Sequence, residues 1–177
     1  TIVLLDAAGV EIGRLGYAAG GPAAWTKKAE EVLAPLKLKA GIAKAWTTDY
    51  DAALAQAKKE KKLVIADFTG SDWCGWCIKL KSEVFDQPEF LAWAKENAVL
   101  LELDFPHGKE LPAELKKQNE MLRERFKITG YPTIVFLDAS GKFLGRGGYV
   151  EGGPAKWIAE AEKQSGRKSK KPAAKKK

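Results

Sequence analysis

The sequence predicts an α/β domain over residues 42–165, with a central mixed β-sheet flanked by helices on both faces. Two short apolar runs, 63–68 and 99–105, have the length of strands that are buried on both faces. Segments with helical periodicity separate these runs, and a hairpin pattern followed by a helix closes the domain. An alternation of strands and helices that ends in a hairpin requires parallel and antiparallel neighbours in one sheet.

Each element has a local signal. Apolar residues recur at helical spacing after residue 49, and either Thr48 or Asp49 can cap this helix. Pro88 either kinks or restarts the helix that begins at Cys74. The predicted elements are helix 49–60, strand 63–68, helix 74–86 with its continuation beyond Pro88, strand 99–105, helix 112–126, strands 133–137 and 142–146 around a Ser-Gly turn, and helix 154–162.

Composition and charge are those of an ordinary globular domain with a basic tail. The apolar fraction is 45% and the charged fraction 30%, which excludes a collagen-like chain, a coiled coil and a globally disordered chain. The net charge is +7, and the seven basic residues after residue 166 account for all of it. We expect residues 166–177 to form a disordered basic tail, which serves as a solubilising terminus or as a weak, salt-sensitive contact for polyanions. No apolar run is long enough for a transmembrane segment.

Residues 1–25 repeat residues 133–157 without a gap, at an offset of 132, and 16 of the 25 positions are identical. Each copy predicts a strand, a turn, a second strand, a glycine-rich loop and a helix that opens with Pro22 or Pro154. Residues 1–41 are therefore either the C-terminal remnant of an upstream repeat in a tandem array or an accessory hairpin with its helix. The sequence leaves both alternatives open.

The two cysteines of the chain carry its candidate chemistry. Cys74 and Cys77 have C-x-x-C spacing directly after a predicted buried strand, at the predicted start of a helix. Free N–H groups and the helix dipole stabilise an anion at that end, which favours the thiolate of Cys74. Cys77 lies one turn further on, close enough for a disulfide. Such a pair suits thiol–disulfide exchange, in which Cys74 attacks and Cys77 resolves the mixed disulfide.

Two other uses of the cysteine pair stay open at this point. A closed zinc site needs four ligands, and His107 is the only other good ligand in the chain, so that such a site would require a second chain. A static structural disulfide, or a pair of core thiols, needs no further partner.

Three ordered motifs make residues 44–165 resemble the thioredoxin family. They are Ala66-Asp67-Phe68 on the first apolar run, Trp73-Cys74-Gly75-Trp76-Cys77 at the turn, and Gly130-Tyr131-Pro132-Thr133 before the hairpin. Within this family the chain resembles bacterial thioredoxin-like proteins that carry a Gly-Ser-Asp-Trp-Cys-Gly-Trp-Cys stretch, residues 70–77 here. Those proteins are often exported, so the resemblance favours a periplasmic location over the cytoplasm and leaves the compartment undetermined.

The resemblance implies a substrate-binding surface around the cysteines. Pro132 corresponds to a cis-proline, and the backbone of Tyr131 beside it would pair with an extended substrate segment. Trp73, Gly75 and Trp76 would border the reactive sulfur and contact the substrate.

The resemblance also implies a buried acid. Asp67 corresponds to a carboxylate that assists proton transfer from Cys77. Its separation from Cys74 is one residue longer than in common thioredoxins, so an acid at the exposed end of the strand is the alternative. The lysine that many thioredoxins place opposite this acid is expected to be an apolar residue here, near Leu100.

The function implied is a thiol–disulfide oxidoreductase that acts on protein cysteines. No organic cofactor or metal is implied, because the cysteine pair carries both electrons, and a redox partner has to reset the pair. Trp76 stands where thioredoxins usually have proline, which leaves the direction, reductase or isomerase, open. The alternative is a non-catalytic thioredoxin-fold binding or scaffold module with a stable disulfide.

Overall fold

The computed structural model describes residues 1–5 and 11–169. Within them the chain forms two compact units, Thr1–Ala43 and a larger unit that begins at Lys44. The turn predicted around residues 7–9 and most of the predicted basic tail, with its polyanion contact, lie outside the described residues. Among the helices of the described part, none is both long enough and apolar enough to cross a membrane.

From residue 63 onward, the helices and strands alternate in the predicted order. In chain order they are β1 Ile2–Leu5, β2 Glu11–Leu15, α1 Gly21–Ala45, β3 Trp46–Thr47, α2 Tyr50–Glu60, β4 Leu63–Thr69, α3 Gly75–Leu80, a π-helical turn Lys81–Phe85, α4 Pro88–Asn97, β5 Ala98–Asp104, α5 Ala113–Arg125, β6 Thr133–Leu137, β7 Phe143–Gly147 and α6 Gly153–Ser165. The sequence does not predict β3, because a strand of two residues is too short for a periodic signal.

A five-stranded mixed sheet in the order β3-β5-β4-β6-β7 forms the centre of the larger unit. β4 lies in its middle, parallel to β5 and antiparallel to β6, and β7 pairs antiparallel with β6 at the edge. All seven residues of β4 are buried, as expected of a strand that is covered on both faces. The predicted mixed sheet is therefore confirmed.

Two apolar layers cover the two faces of the sheet. Val64 and Phe68 of β4 belong to a cluster with residues of α2 and α5. Leu63 and Ile65 belong to a second cluster, which α3, the π-helical turn, α4 and α6 complete. Because side chains alternate along a strand, Asp67 lies on the face of the second cluster, under the helix that follows the cysteines.

Local signals set the helix ends around this layer. Asp49 caps α2 by accepting a hydrogen bond of 2.8 Å from the backbone N–H of Ala52. Pro88 occupies the first turn of α4, where a backbone N–H would have no helical partner. The chain leaves the helix after the π-helical turn and starts α4 afresh, so the effect of Pro88 is a restart rather than a kink.

The hairpins β1–β2 and β6–β7 pair in equivalent registers. Ile2 pairs with Leu15, and Ile134 pairs with Gly147, which is the same pairing displaced by the repeat offset. Both hairpins shift register after the third pair. Their surroundings differ, because Ile134 is fully buried beside β4 whereas Ile2 is 49% exposed.

Candidate active site

The two cysteines form a disulfide at the turn between β4 and α3. Their Cα atoms lie 5.2 Å apart. Cys74 caps α3, because the backbone N–H of Cys77 donates a hydrogen bond of 3.2 Å to its sulfur. Both residues are buried, with 6% of Cys74 and 4% of Cys77 exposed. The predicted place of Cys74 at the helix start and the predicted pairing with Cys77 are confirmed.

Gly70 shapes the turn that presents the disulfide. Its carbonyl accepts a hydrogen bond of 2.9 Å from the backbone N–H of Cys74. A Cβ atom at Gly70 would lie 2.4 Å from the Trp73 ring. Glycine at this position therefore lets the ring fold back over the turn.

Contacts with two loops hold Trp73 beside Cys74. Its indole N–H donates a hydrogen bond of 2.8 Å to the carbonyl of Phe105. Its ring stacks on His107, with ring centroids 4.5 Å apart, and meets the Tyr131 ring edge-on at 5.6 Å. Since 41% of Trp73 remains exposed, the ring is a fixed apolar surface next to the disulfide turn.

The segment before β6 contributes to the same surface. The Tyr131 ring packs against Trp73 and also against Phe105, at a centroid distance of 5.4 Å. The peptide bond between Tyr131 and Pro132 is cis, which is the geometry that the resemblance implies. The fold thus brings together two predicted site segments that are far apart along the chain.

Trp76 forms a second aromatic surface. It is 57% exposed, and its ring lies 5.2 Å from the ring of Tyr149. The ammonium of Lys79 lies 5.2 Å from the centroid of the Trp76 ring and 5.1 Å from that of Tyr149, which is a cation–π arrangement. Gly75 leaves open space, because a Cβ atom there would meet nothing within 4 Å. No local pattern links Tyr149 to Trp76, so the sequence does not predict this contact.

Asp67 is buried behind the disulfide turn, so the alternative of an acid at the exposed end of the strand is wrong. Only 7% of Asp67 is exposed, and its Oδ1 atom has no hydrogen-bond partner among the described residues. A cavity of about 170 Å³ has both Asp67 and Cys77 in its wall. Burial, together with repulsion from Glu102, raises the pKa of Asp67 to about 8.

Comparison with known families identifies the fold. A family described as a thioredoxin-like domain matches residues 50–163. The chain belongs to the thioredoxin-like family. The disulfide bond reductase DsbH of Chlamydia pneumoniae is 38% identical to it over 113 residues, which are 64% of this chain and 68% of DsbH. The thioredoxin-related protein DsbJ of Chlamydia pneumoniae is 32% identical over 92 residues, which are 52% of this chain but 26% of DsbJ.

A solved structure leads to the same conclusion. A DsbH oxidoreductase superposes with a TM-score of 0.65 at 36% identity, over 70% of this chain and 85% of that chain. The larger unit therefore has the thioredoxin fold, and its relatives place the chain in the thiol–disulfide oxidoreductase family. The predictions of family, fold and general class of chemistry are confirmed.

In this thioredoxin-like domain, the loop between β5 and α5 is tied to the cysteine turn. Asp72 accepts backbone hydrogen bonds of 3.0 Å from His107 and 2.6 Å from Gly108. Asp104, at the end of β5, accepts hydrogen bonds from the backbone N–H of Ser71 at 2.9 Å and from its hydroxyl at 2.7 Å. A groove of about 840 Å³ opens between this loop and α5. These contacts join segments more than 30 residues apart, and no sequence signal identifies them.

The residue opposite Asp67 in this thioredoxin-like sheet is Glu102, so the expectation of an apolar residue near Leu100 is wrong. β4 and β5 pair in parallel with Asp67 opposite Glu102, whereas Leu100 lies opposite Ile65. Glu102 lines the cavity behind the disulfide, and so does Lys81 of the π-helical turn. Burial raises the pKa of Glu102, and the Lys81 ammonium opposes this rise. One feature of the sequence could have indicated this acid: Glu102 interrupts the apolar run 99–105.

Proposed function

We propose that this protein reduces disulfide bonds of protein substrates by exchange through Cys74 and Cys77. The observation that carries the proposal is the helix-capping disulfide, in which the Cys77 N–H donates to the Cys74 sulfur. In the reduced protein the same N–H favours a thiolate at Cys74, because hydrogen bonding to a charged form stabilises it. The name of the relative DsbH, a disulfide bond reductase, supports reduction over isomerisation.

The exchange consists of two sulfur displacements that transfer two electrons. The Cys74 thiolate attacks one sulfur of the substrate disulfide, and the other substrate sulfur leaves as a thiolate and takes up a proton. In the fraction of molecules in which Asp67 is ionised, Cys77 passes its proton to the Asp67 carboxylate across the cavity that both residues line, and the Cys77 thiolate attacks the Cys74 sulfur. This attack breaks the mixed disulfide, and the second substrate sulfur leaves as a thiolate and takes up a proton from solvent. The substrate is then a dithiol, and the protein retains the disulfide. A dithiol redox partner reduces the pair again.

Asp67 suits this role because of its environment. A group whose pKa lies near neutrality can both take up and release a proton at physiological pH. The burial of Asp67 raises its pKa to about 8, well above that of an exposed aspartate. We therefore assign proton transfer at Cys77 to Asp67.

Substrate contact is assigned to the surfaces on the cysteine turn. The backbone of Tyr131, beside the cis bond to Pro132, suits pairing with an extended substrate segment. The exposed rings of Trp73 and Trp76 add apolar contact area, and Gly75 allows a substrate backbone to come close. Such a surface recognises backbone and apolar groups, which makes exposed disulfides of polypeptides the substrate class.

Reduction of insulin in the presence of dithiothreitol tests the activity. The intact protein should raise the rate above the blank, and the Cys74→Ser variant should return it to the blank. A blank rate for the intact protein would contradict the proposal. It would favour a non-catalytic thioredoxin-fold module with a stable disulfide, which the burial of both cysteines also permits.

The order of attack is tested by trapping. The Cys77→Ser variant should accumulate mixed disulfides with substrate proteins, because the resolving thiol is absent. Non-reducing gel electrophoresis after mixing with a cysteine-rich extract shows these adducts. Cys74→Ser is the matched control and should accumulate far fewer. Equal trapping by both variants, or trapping by neither, would contradict the assigned roles.

We also propose that residues 1–43 are the strand–strand–helix half of a second thioredoxin-like unit. The equivalent registers of β1–β2 and β6–β7 support this. So do the backbone angles φ of Gly20 and Gly21, 110° and 72°, beside 113° and 75° at Gly152 and Gly153. In the larger unit, β4 pairs with β6, which is the strand that corresponds to β1. We therefore expect β1 to pair with a strand equivalent to β4.

A further inference from the structure

Two charged side chains share the cavity of Asp67. Asp67 on β4 and Glu102 on β5 are direct partners in the parallel register. Paired residues of neighbouring strands project from the same face of a sheet and lie side by side. Lys81 comes from the π-helical turn in the layer that covers this face, and all three residues line the cavity that also contains Cys77.

The other neighbours of Asp67 offer little compensation. Its Oδ1 atom has no hydrogen-bond partner among the described residues. On its other side, β6 places the uncharged Ile134 opposite it. Asp104 of β5 adds negative charge, but an ion pair of 3.0 Å with a lysine and the hydrogen bonds from the cysteine turn engage its carboxylate. Lys81 forms an ion pair of 3.1 Å with Asp86, which partly compensates its charge. Glu102 and Lys81 are nevertheless the two charged residues of opposite sign that line the cavity together with Asp67.

We propose that Glu102 and Lys81 are positioning residues of opposite sign for the proton of Asp67. Glu102 holds the proton on the Asp67 carboxyl group, Lys81 promotes its release, and the cavity conducts it to water. This inference rests on the proposed function, because it assigns control over the proton that Cys77 gives up before it attacks.

The proton moves in two balanced steps. The Cys77 thiol transfers its proton to the Asp67 carboxylate, which leaves a thiolate and a neutral acid. After the thiolate has closed the disulfide, the neutral Asp67 releases the proton into the cavity, where the Glu102 carboxylate is the next acceptor on the way to solvent. Glu102 suits this place because it is less buried than Asp67.

The electrostatics agree with this arrangement. Burial is the largest cause of the raised pKa of Asp67, Glu102 raises it further, and Lys81 lowers it. Removing either charge should therefore move the titration of Asp67, and the two removals should move it in opposite directions. A purely structural contribution of the two side chains would produce no such opposition.

Carboxyl ¹³C NMR titration of the oxidised 177-residue protein tests the inference. The disulfide removes both thiols from the titration, and the Asp67→Asn variant identifies the resonance. Glu102→Gln should lower the midpoint of Asp67 by about one pH unit, as expected for adjacent charges in a partly hydrated interior. Lys81→Met should raise the midpoint by less, because the Lys81 side chain is 49% exposed and its charge is screened.

Matched controls change the same charges elsewhere. Glu96→Gln and Lys95→Met lie on exposed positions of α4 and should leave the midpoint in place. Shifts of the same sign in the two cavity variants, or shifts no larger than in the controls, would overturn the inference. If Glu102→Gln does not fold, Lys81→Glu carries the test, because it should raise the midpoint beyond that of Lys81→Met.

Turnover provides a second readout that separates this inference from the proposed function. Glu102→Gln should move the pH profile of kcat for insulin to lower pH, and it should have no such effect in the Asp67→Asn background. Opposite NMR shifts without insulin turnover would support the positioning roles and contradict the proposed function alone. Turnover with an unmoved Asp67 midpoint would overturn the positioning roles alone.

Discussion

Replacing Asp67 by asparagine should stabilise the oxidised protein, and the gain should grow with pH. The side chain is buried, and its Oδ1 atom has no hydrogen-bond partner in the described structure. Burial raises its pKa from 3.8 to about 8. Asparagine has nearly the same shape and does not ionise, so the difference in unfolding free energy between the two proteins isolates the ionisation of this carboxyl group.

The sign follows from the number of protons bound in each state. Below pH 3.8 the carboxyl group is protonated in the folded and unfolded chain, and its ionisation leaves stability unchanged. Between pH 3.8 and about 8 the unfolded chain releases the proton while the folded protein keeps it, so the wild-type free energy of unfolding falls as the pH rises. At about 1.4 kcal/mol per pH unit, the whole interval between pH 3.8 and about 8 corresponds to about 6 kcal/mol. Above it, both states are ionised and the difference becomes constant.

Urea denaturation of both oxidised proteins at pH 5, 7 and 9 measures this difference. The advantage of Asp67→Asn should be about 2 kcal/mol at pH 5, about 4 kcal/mol at pH 7 and about 6 kcal/mol at pH 9. The exposed Glu96→Gln variant is the control and should show the same small offset at each pH. An Asp67→Asn difference that stays constant from pH 5 to pH 9 would refute the reasoning, because Asp67 would then titrate like a surface acid.

Three further predictions concern the core, the loop and the first unit. Trp157→Ala should lower the free energy of unfolding by about 3–5 kcal/mol, because the buried indole packs edge-on against Phe85; a loss below about 1 kcal/mol in urea denaturation would contradict this packing. Asp72→Ala removes the acceptor for the backbone N–H of His107, so amide hydrogens of that loop should exchange faster while the core stays protected; unchanged exchange would show that the carboxylate does not hold the loop. A chain without residues 1–43 should reduce insulin at the full-length rate, since every residue assigned to the site lies in the larger unit; a loss of about tenfold or more in a folded protein would give the first unit a part in catalysis.

Local signals were sufficient for the cysteine turn. C-x-x-C spacing, the preceding apolar run and the following helical pattern all lie within about 20 residues. The structure has Cys74 as the cap of α3 and joins it to Cys77, as these signals predict. The restart of the helix at Pro88 also follows from the missing N–H of proline.

Local signals did not predict which residue of β5 pairs with Asp67. The expected neighbour near Leu100 differs from the observed Glu102 by two residues along β5. A displacement of two residues keeps the same sheet face, so the apolar pattern of the strand does not distinguish the two registers. Register depends on how distant segments pack. The presence of Glu102 in an apolar run therefore does not reveal that it will lie opposite Asp67.

Hydrophobic periodicity, capping and proline act over a few residues. The amino-acid order therefore already specifies the mixed sheet, its sequence of elements apart from β3, and the cysteine pair at the start of a helix. The pairing of β4 with β5 and the layer above them add the features that tune the site. They place Glu102 and Lys81 around Asp67 and bring His107 against Trp73. These groups lie far apart along the chain. Folding brings them close together in a partly buried environment, where their charges and rings interact more strongly than in water.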